Sequence, residues 1–245
     1  MIIFVTYMKN LFNAILSGFF LAFSWPEIGW LPILFFAFIP LLILEERISN
    51  SSEKKKGRIL FIYSFIAFLI FNIITTYWIY NATLYGAIIA FLVNAALMAL
   101  TFSIFHKIKI QSNKRIGYLA FLVVWISMEY LHLNWDLSWP WLTLGNSFAN
   151  IPEIVQWYEF TGVFGGSAWI LLMNILFFSV IKKREWNITI ISFIVLILPI
   201  LVSYVLTPEL NIQNKLKVLV VQPNVDPYSD KFTVDYQKQL DDFFE

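Results

Sequence analysis

Cysteine is absent from this chain of 245 residues, which excludes disulfides, thiolate metal sites and a cysteine nucleophile within it. Histidine is nearly absent: His106 and His132 lie far apart without ligand-like spacing, so we predict no metal site and no cofactor. Charge is also scarce, since 13% of residues are charged whereas soluble domains have about a quarter. The net charge of +1 gives no electrostatic footprint for nucleic acid.

Apolar residues are abundant instead: 59% of the chain is hydrophobic and its mean hydropathy is +0.71. A helix that crosses a bilayer needs about 20 mostly apolar residues. Segments that meet or approach this length are 6–24, 28–45, 59–80, 83–106, 116–134, 162–181 and 187–206. We therefore predict an all-α polytopic membrane bundle of about seven transmembrane helices. The first segment is expected to remain uncleaved, because no small-residue cleavage site follows it.

Basic residues alternate between the two sides of this bundle. Most of the 17 lysines and arginines precede the first span or lie between spans two and three, four and five, or six and seven. The three opposite connections contain none. The positive-inside rule therefore predicts a cytoplasmic N-terminus and an exocytoplasmic C-terminal region.

The longest connection on the opposite side, 135–161, is rich in tryptophan. Tryptophan prefers the headgroup level of a membrane, so the segment is either an aromatic anchor or a surface that contacts lipid or substrate. Within the spans, Glu129 is the one candidate intramembrane carboxylate, and we expect hydrogen bonds between it and this connection. Four asparagines and a pair of glycines are predicted to pack helices together: Asn13, Asn72, Asn94 and Asn174, and Gly162 with Gly166.

The character of the chain changes after Pro208. Residues 218–221 predict one buried strand, and 233–244 predict the start of an amphipathic helix with Thr233 as its N-cap. One strand and one helix cannot bury a core. We therefore expect a transmembrane helical domain over 1–210 and the truncated start of an α/β domain over 211–245, the remainder coming from further sequence or a separate chain.

Four stretches occur in a fixed order along the chain. They are SWPEIGWLPILFFAFIPLLIL at 24–44, YWIYNATLYG at 77–86, WPWLTLGNSF at 139–148 with EFTGVFGGSAWILLMN at 159–174, and VLVVQPNVDPYSDKF at 218–232. In this order they resemble the apolipoprotein N-acyltransferase family. The resemblance implies a bacterial inner-membrane bundle that carries an exocytoplasmic nitrilase-like domain with a Glu–Lys–Cys triad. There, a cysteine takes an acyl chain from a phospholipid and passes it to the amino group of a lipoprotein's diacylglyceryl-cysteine. The triad is not found in this chain, so by itself the chain is expected to be inactive.

The resemblance also implies substrate-binding residues. Trp141, beside Pro140, resembles the aromatic residue that flanks the substrate entrance, and Gln222 and Asn224 match the first strand of the nitrilase-like domain. Phe232 departs from the family, which has a tryptophan nearby, and Glu129 begins Glu-Tyr-Leu-His where members have Glu-Trp-x-Arg. The complete predicted set is Trp141, Pro140, Trp78, Tyr80, Glu129, Asn146, Gln222, Asn224 and Phe232.

Two alternatives remain open from the residues. The first is a non-catalytic scaffold or lipid-binding subunit of a split enzyme, which predicts a separate catalytic partner chain. The second is a small transporter, which the lack of central charges and inverted repeats disfavours. In the favoured hypothesis the partners are a phospholipid donor, a diacylglyceryl lipoprotein and the surrounding membrane lipids.

Overall fold

A computed structural model of the chain describes residues 2–207, 216–222 and 233–244. These residues are largely α-helical, with four short 3₁₀ helices and no strand among them. The α-helices are α1 (Ile2–Phe23), α2 (Ile39–Ser49), α3 (Lys56–Thr76), α4 (Leu84–Gln111), α5 (Lys114–Leu133), α6 (Tyr158–Lys183), α7 (Trp186–Leu206) and α8 (Tyr236–Phe244). The 3₁₀ helices are Leu31–Phe36, Tyr77–Asn81, Leu144–Phe148 and Pro152–Ile154.

Five helices in the described part of the chain are long and apolar enough to cross a membrane. They are α3 with its 3₁₀ extension (Lys56–Asn81), α4, α5, α6 and α7. This confirms a helical, multi-pass membrane protein. The predicted division of the long apolar stretch is also confirmed, because α4 begins anew after Thr83, whose hydroxyl caps the N–H of Gly86 at 3.3 Å.

The predicted second span, 28–45, is not one continuous helix. A 3₁₀ helix, Leu31–Phe36, is followed by α2, and a proline occupies the first turn of each. The backbone groups freed at this break are satisfied by other helices. The Asn174 amide accepts from Phe38 N at 2.8 Å and donates to Leu34 O at 2.9 Å, and the Ser17 hydroxyl donates to Ala37 O. Because these partners replace the missing helical bonds, the break is tolerated inside the bundle.

Asn174 is therefore the interhelical link that its position predicted. Asn72 on α3 donates along its own helix to Phe68 O at 2.8 Å and also across to Met98 Sδ on α4 at 3.6 Å.

Aromatic rings fill the centre of the bundle. Phe38 lies edge-on to Trp125 with ring centroids 5.0 Å apart, and to Phe121 at 5.6 Å. Phe68 and Phe102 extend the cluster, and all five side chains are buried. Such edge-to-face contacts add to the burial of apolar area. The cluster joins α2, α3, α4 and α5 around the broken span.

Only one of the two α6 glycines packs as predicted. Gly166 lies against Gly145 and the Tyr158 side chain, where a Cβ atom has no room. Gly162 has φ 63° and ψ −173°, and a Cβ there would meet nothing within 4 Å. Its role is to permit a non-helical kink, because the left-handed φ region favours glycine. The prediction that Gly162 packs against another helix was therefore wrong.

The contacts divide the chain into two units, Met1–Thr207 and Pro208–Glu245. In the second unit, residues 216–222 have no regular secondary structure, so the strand predicted at 218–221 is not formed. A strand is stabilised by pairing, and the described residues offer no neighbouring strand. The predicted helix is confirmed as α8, which begins at Tyr236, and the Asp235 carboxylate accepts from Gln237 N at 2.8 Å in its first turn.

Candidate functional site

A buried carboxylate organises the end of the bundle where α5 finishes. Glu129 lies one turn after Trp125 on α5, and both are buried. Its Oε1 atom accepts from Trp125 Nε1 at 3.0 Å and from Leu144 N at 2.9 Å. The expected link between Glu129 and the long connection is therefore present. Both donors are neutral groups, so Glu129 acts here as a hydrogen-bond acceptor that holds backbone.

The segment held by Glu129 is the tryptophan loop, residues 134–148. Its 3₁₀ helix is fixed to α6 by two bonds: Gly145 N donates to Ser167 Oγ at 3.0 Å, and the Tyr158 hydroxyl donates to Gly145 O at 2.9 Å. Gly145 also approaches the backbone of Val163 so closely that a Cβ has no room. Ser167 and Tyr158 are absent from the predicted site, because nothing in their sequence context links them to Gly145.

The exposed part of the tryptophan loop is held from the other side. Asn146 Nδ2 donates to Pro140 O at 2.8 Å and closes the turn that carries Trp141. Asn146 was predicted to bind substrate; its amide nitrogen donates to the loop, and its role toward substrate stays a prediction. Together, Asn146 and Glu129 define the conformation of the loop from which Trp141 projects.

Two predicted site residues from distant parts of the sequence meet at this loop. The rings of Trp78 and Trp141 lie edge-on, with centroids 5.3 Å apart and an interplanar angle of 85°. Trp141 is 51% exposed and Trp78 37% exposed, so both retain free surface. Tyr80, on the same 3₁₀ turn as Trp78, is also exposed. We call the region formed by Trp78, Tyr80 and Trp141 the tryptophan end of the bundle.

Three of the predicted residues belong to the second unit by their position in the chain. Gln222 is exposed and belongs to the second unit. Asn224 and Phe232 lie outside the described residues. A substrate-binding role for any of the nine residues stays a prediction.

A groove of about 420 Å³ lies between α4 and α5. Its walls are mainly apolar, and its polar residues at the end of α5 are His132 and Asn134, beside Trp135. The other lining residues are Leu97, Leu100, Thr101, Ile104, Val124, Ser127, Met128 and Leu131. Its volume is in the range of small-molecule sites. An apolar chain with a polar end fits this distribution, and the groove finishes where the tryptophan loop begins.

A second buried carboxylate, which the sequence analysis did not single out, lies at the opposite end of the bundle. Glu45 on α2 accepts from Ser49 Oγ at 2.7 Å and contacts His106 Nδ1 at 2.8 Å and Lys109 Nζ. Its neighbour Glu46 pairs with lysines that begin α5 and end α6, Lys114 and Lys182. We call this the basic end. Within the described residues, no group of histidine and acidic side chains has the arrangement of a metal site.

The structure thus holds a shaped apolar surface at one end and a neutralised charge cluster at the other. What the tryptophan end offers is exposed indole surface beside a mainly apolar groove.

The sequence also matches known proteins. A family model described as the apolipoprotein N-acyltransferase N-terminal domain covers residues 17–176. The apolipoprotein N-acyltransferase of Chlorobaculum tepidum is 29% identical over 231 residues, 90% of this chain and 42% of that protein. The protein of the same name from Geobacter metallireducens is 28% identical over 185 residues, 71% of this chain and 34% of that protein. That from Thermotoga maritima is 26% identical over 248 residues, 96% of this chain and 48% of that protein. The chain spans less than half the length of these curated relatives.

Proposed function

The chain belongs to the apolipoprotein N-acyltransferase family, as the N-terminal membrane part of such an enzyme, and from this we propose its function. The bundle holds two lipid substrates at the membrane surface beside a nitrilase-like catalytic domain. One is a phospholipid that donates an acyl chain. The other is a lipoprotein whose N-terminal diacylglyceryl-cysteine accepts it.

The observation that carries this proposal is the doubly held tryptophan loop. Glu129 fixes its buried backbone at Leu144, and Asn146 fixes the Pro140 turn. These bonds leave Trp141 half exposed against Trp78. A rigid aromatic pair presents apolar area at little entropic cost, and the α4–α5 groove supplies room for an acyl chain.

The chemistry that this arrangement serves is a two-step acyl transfer. A thiolate of the catalytic domain attacks the ester carbonyl of the phospholipid, and the lysophospholipid alcohol leaves with a proton. The lipoprotein amine then attacks the thioester, and the thiolate leaves as the amide forms. The residues of the bundle bind and orient the two lipids, and the carboxylate, lysine and cysteine of the triad belong to the catalytic domain.

We further propose seven spans in the bacterial inner membrane, with the N-terminus cytoplasmic. The 6-residue 3₁₀ helix and the 11-residue α2 have a combined rise of about 28 Å, close to the thickness of a hydrocarbon core of about 30 Å. The contacts of Glu46 with Lys114 and Lys182 gather basic residues at one end, which supports a cytoplasmic basic end.

Because this chain has no cysteine, single introduced cysteines report its topology without background in a full-length enzyme whose catalytic cysteine is replaced by serine. Asn150→Cys near the tryptophan loop should react with a membrane-impermeant maleimide in intact spheroplasts. Ser112→Cys, between α4 and α5, should react only after the membrane is opened. The reverse pattern would contradict the proposed orientation.

Acyl transfer itself is tested by Trp141→Ala in the full-length enzyme. We expect kcat/KM for a diacylated lipopeptide and phospholipid to fall about tenfold, which is within the value of one large apolar side chain. The matched control is Trp186→Ala at the start of α7, an exposed tryptophan distant in sequence from the tryptophan loop. Its rate should stay unchanged. If Trp141→Ala behaves like this control, Trp141 is only an interfacial anchor and the proposed site is wrong.

A further inference from the structure

A second groove, separate from the tryptophan end, lies on the surface of α1. Its volume is about 390 Å³, and its apolar lining comes from exposed α1 side chains, Val5, Met8 and Phe12. Two cations line the same groove: Lys9 from α1 and Arg47 from the end of α2. An apolar wall beside two positive charges is the composition of a lipid headgroup site.

The charges of this groove differ from those of the neighbouring cluster. Glu45 and Glu46, the residues immediately before Arg47, are each paired with cations from other helices. Arg47 donates only to a neutral acceptor, Asn10 Oδ1, at 2.6 Å. Neither Arg47 nor Lys9 forms an ion pair within the described residues. Two uncompensated cations that share one groove favour an anion between them.

A third polar group supports an external ligand. Asn13, one turn after Lys9, also lines the groove, and its Nδ2 atom is buried without an acceptor in the part of the chain that is described. A buried donor that lacks an acceptor costs free energy unless a ligand or water supplies one. Phosphate and ester oxygens of a lipid are acceptors of the required kind.

We propose that this groove binds one anionic phospholipid from the membrane leaflet at the basic end. Its phosphate lies between Arg47 and Lys9, because a guanidinium can donate two parallel hydrogen bonds to phosphate oxygens. One acyl chain covers Val5, Met8 and Phe12. The apolar wall favours a lipid over free phosphate, since a soluble anion gains nothing from these side chains. This site lies at the opposite end of the bundle from the tryptophan loop, so it is not the site of acyl transfer.

The test titrates the purified full-length protein in neutral detergent with dioleoylphosphatidylglycerol and follows binding by native mass spectrometry. The zwitterionic dioleoylphosphatidylcholine, with the same chains, is the matched ligand. Each basic residue near a membrane surface contributes about a fivefold factor in affinity. The double variant Lys9→Gln/Arg47→Gln should therefore bind phosphatidylglycerol about 25-fold more weakly. Phosphatidylcholine binding should hardly change.

The control is Lys54→Gln/Lys55→Gln, which removes the same charge from exposed positions in the connection before α3. It should change phosphatidylglycerol affinity less than twofold. Equal losses in the two double variants would overturn the site, because attraction would then depend on net charge alone. Equal binding of the two lipids, or retention of inorganic phosphate as tight as that of the lipid, would also overturn it.

Two further single variants distinguish loss of the lipid site from misfolding of the double variant. Lys9→Gln alone removes an exposed side chain and leaves the bond between Arg47 and Asn10, and it should still lose about fivefold. Phe12→Ser should weaken phosphatidylglycerol binding with both cations intact. Acyltransferase activity should persist in all of these variants, so loss of lipid binding here and failure of the acyl-transfer proposal give different results.

Discussion

The two ends of the bundle each contain a buried glutamate, and the partners of these residues differ. At the basic end, Glu45 contacts a histidine and a lysine from α4. At the tryptophan end, Glu129 accepts hydrogen bonds from an indole and a backbone amide. The first arrangement ties helix to helix through opposite charges. The second ties a helix to a loop through neutral donors.

This difference assigns separate roles to the two ends. A charge pair that is removed from water stabilises the fold only while both partners are present, because either one alone is left uncompensated. A carboxylate with neutral donors positions backbone groups at a lower cost when its charge is lost. The basic end therefore stabilises the packing of the helices, and the tryptophan end positions the loop that carries Trp141.

The largest expected effect on stability is at Glu45, in the basic end. Glu45→Gln retains the shape of the side chain but leaves Lys109 buried without its carboxylate. The free energy of unfolding should fall by about 3–5 kcal/mol, measured by SDS titration in mixed micelles.

The control for that measurement is Glu46→Gln. Glu46 pairs with Lys114 and Lys182, whose side chains are 74% and 46% exposed, so the loss should be below about 1 kcal/mol. Equal losses at positions 45 and 46 would show that burial does not distinguish the two glutamates.

The next effect concerns the acceptor at the tryptophan end. Glu129→Leu leaves Trp125 Nε1 and Leu144 N without an acceptor and should cost about 2–3 kcal/mol in the same titration. Glu129→Gln keeps an acceptor oxygen and should cost only about 1 kcal/mol. A loss for Glu129→Gln as large as that for Glu45→Gln would mean that the charge of Glu129 matters as much as the charge of Glu45.

A packing change tests how closely the tryptophan loop lies on α6. Gly145→Ala places a methyl group against the Val163 backbone carbonyl and should destabilise the protein by about 2 kcal/mol. Gly57→Ala, in the first turn of α3 where nothing lies within 4 Å, should leave stability unchanged or slightly raised. Comparable melting temperatures for the two variants would show that the loop moves away from α6 at little cost.

The difference between the two ends was predictable only where the residues in contact lie close together in the sequence. The helices and the division after Asn81 follow from local apolar length, because the stretch from 59 to 106 is too long for a single span. The link from Glu129 to the loop was expected because Glu129 lies in the outer third of its span, where no basic residue within the spans offers a partner. The bond is made with Leu144, 15 positions away. The Glu45 cluster was not, because His106 lies 61 positions along the chain and nothing local to either residue names the other.

The broken second span shows a different limit. Its apolar length is close to that of one membrane-spanning helix. A hydropathy average over the segment does not show that a proline begins each of its two helices. The break is stable only because Asn174, 136 positions after Phe38, supplies both a donor and an acceptor. Similarly, the contact between Trp78 and Trp141 depends on how α3 and the tryptophan loop pack, which composition does not encode.

The smallest expected effect on stability is at Asn146. A variant there distinguishes the position of Trp141 from the stability of the tryptophan end. Asn146→Ala removes one exposed hydrogen bond to Pro140 O, so the free energy of unfolding should fall by about 1 kcal/mol or less. The same bond holds the turn of Trp141. We therefore expect kcat/KM of the full-length enzyme to fall about threefold, since small misplacements of binding groups reduce rates more than stability.

Asn150 provides a matched control within the same connection. Its amide also donates to a proline carbonyl, Pro26 O, at 2.6 Å, and that bond is likewise exposed. Asn150→Ala should thus cost a similar free energy of unfolding and leave acyl transfer unchanged, because Pro26 does not carry the tryptophan turn. If both variants lose activity equally, the rate depends on the general stability of this end of the bundle. If only Asn146→Ala loses activity, the position of Trp141 controls the rate. This is the result we expect, because the hydrogen bonds of Glu129 and Asn146 hold the loop that carries Trp141.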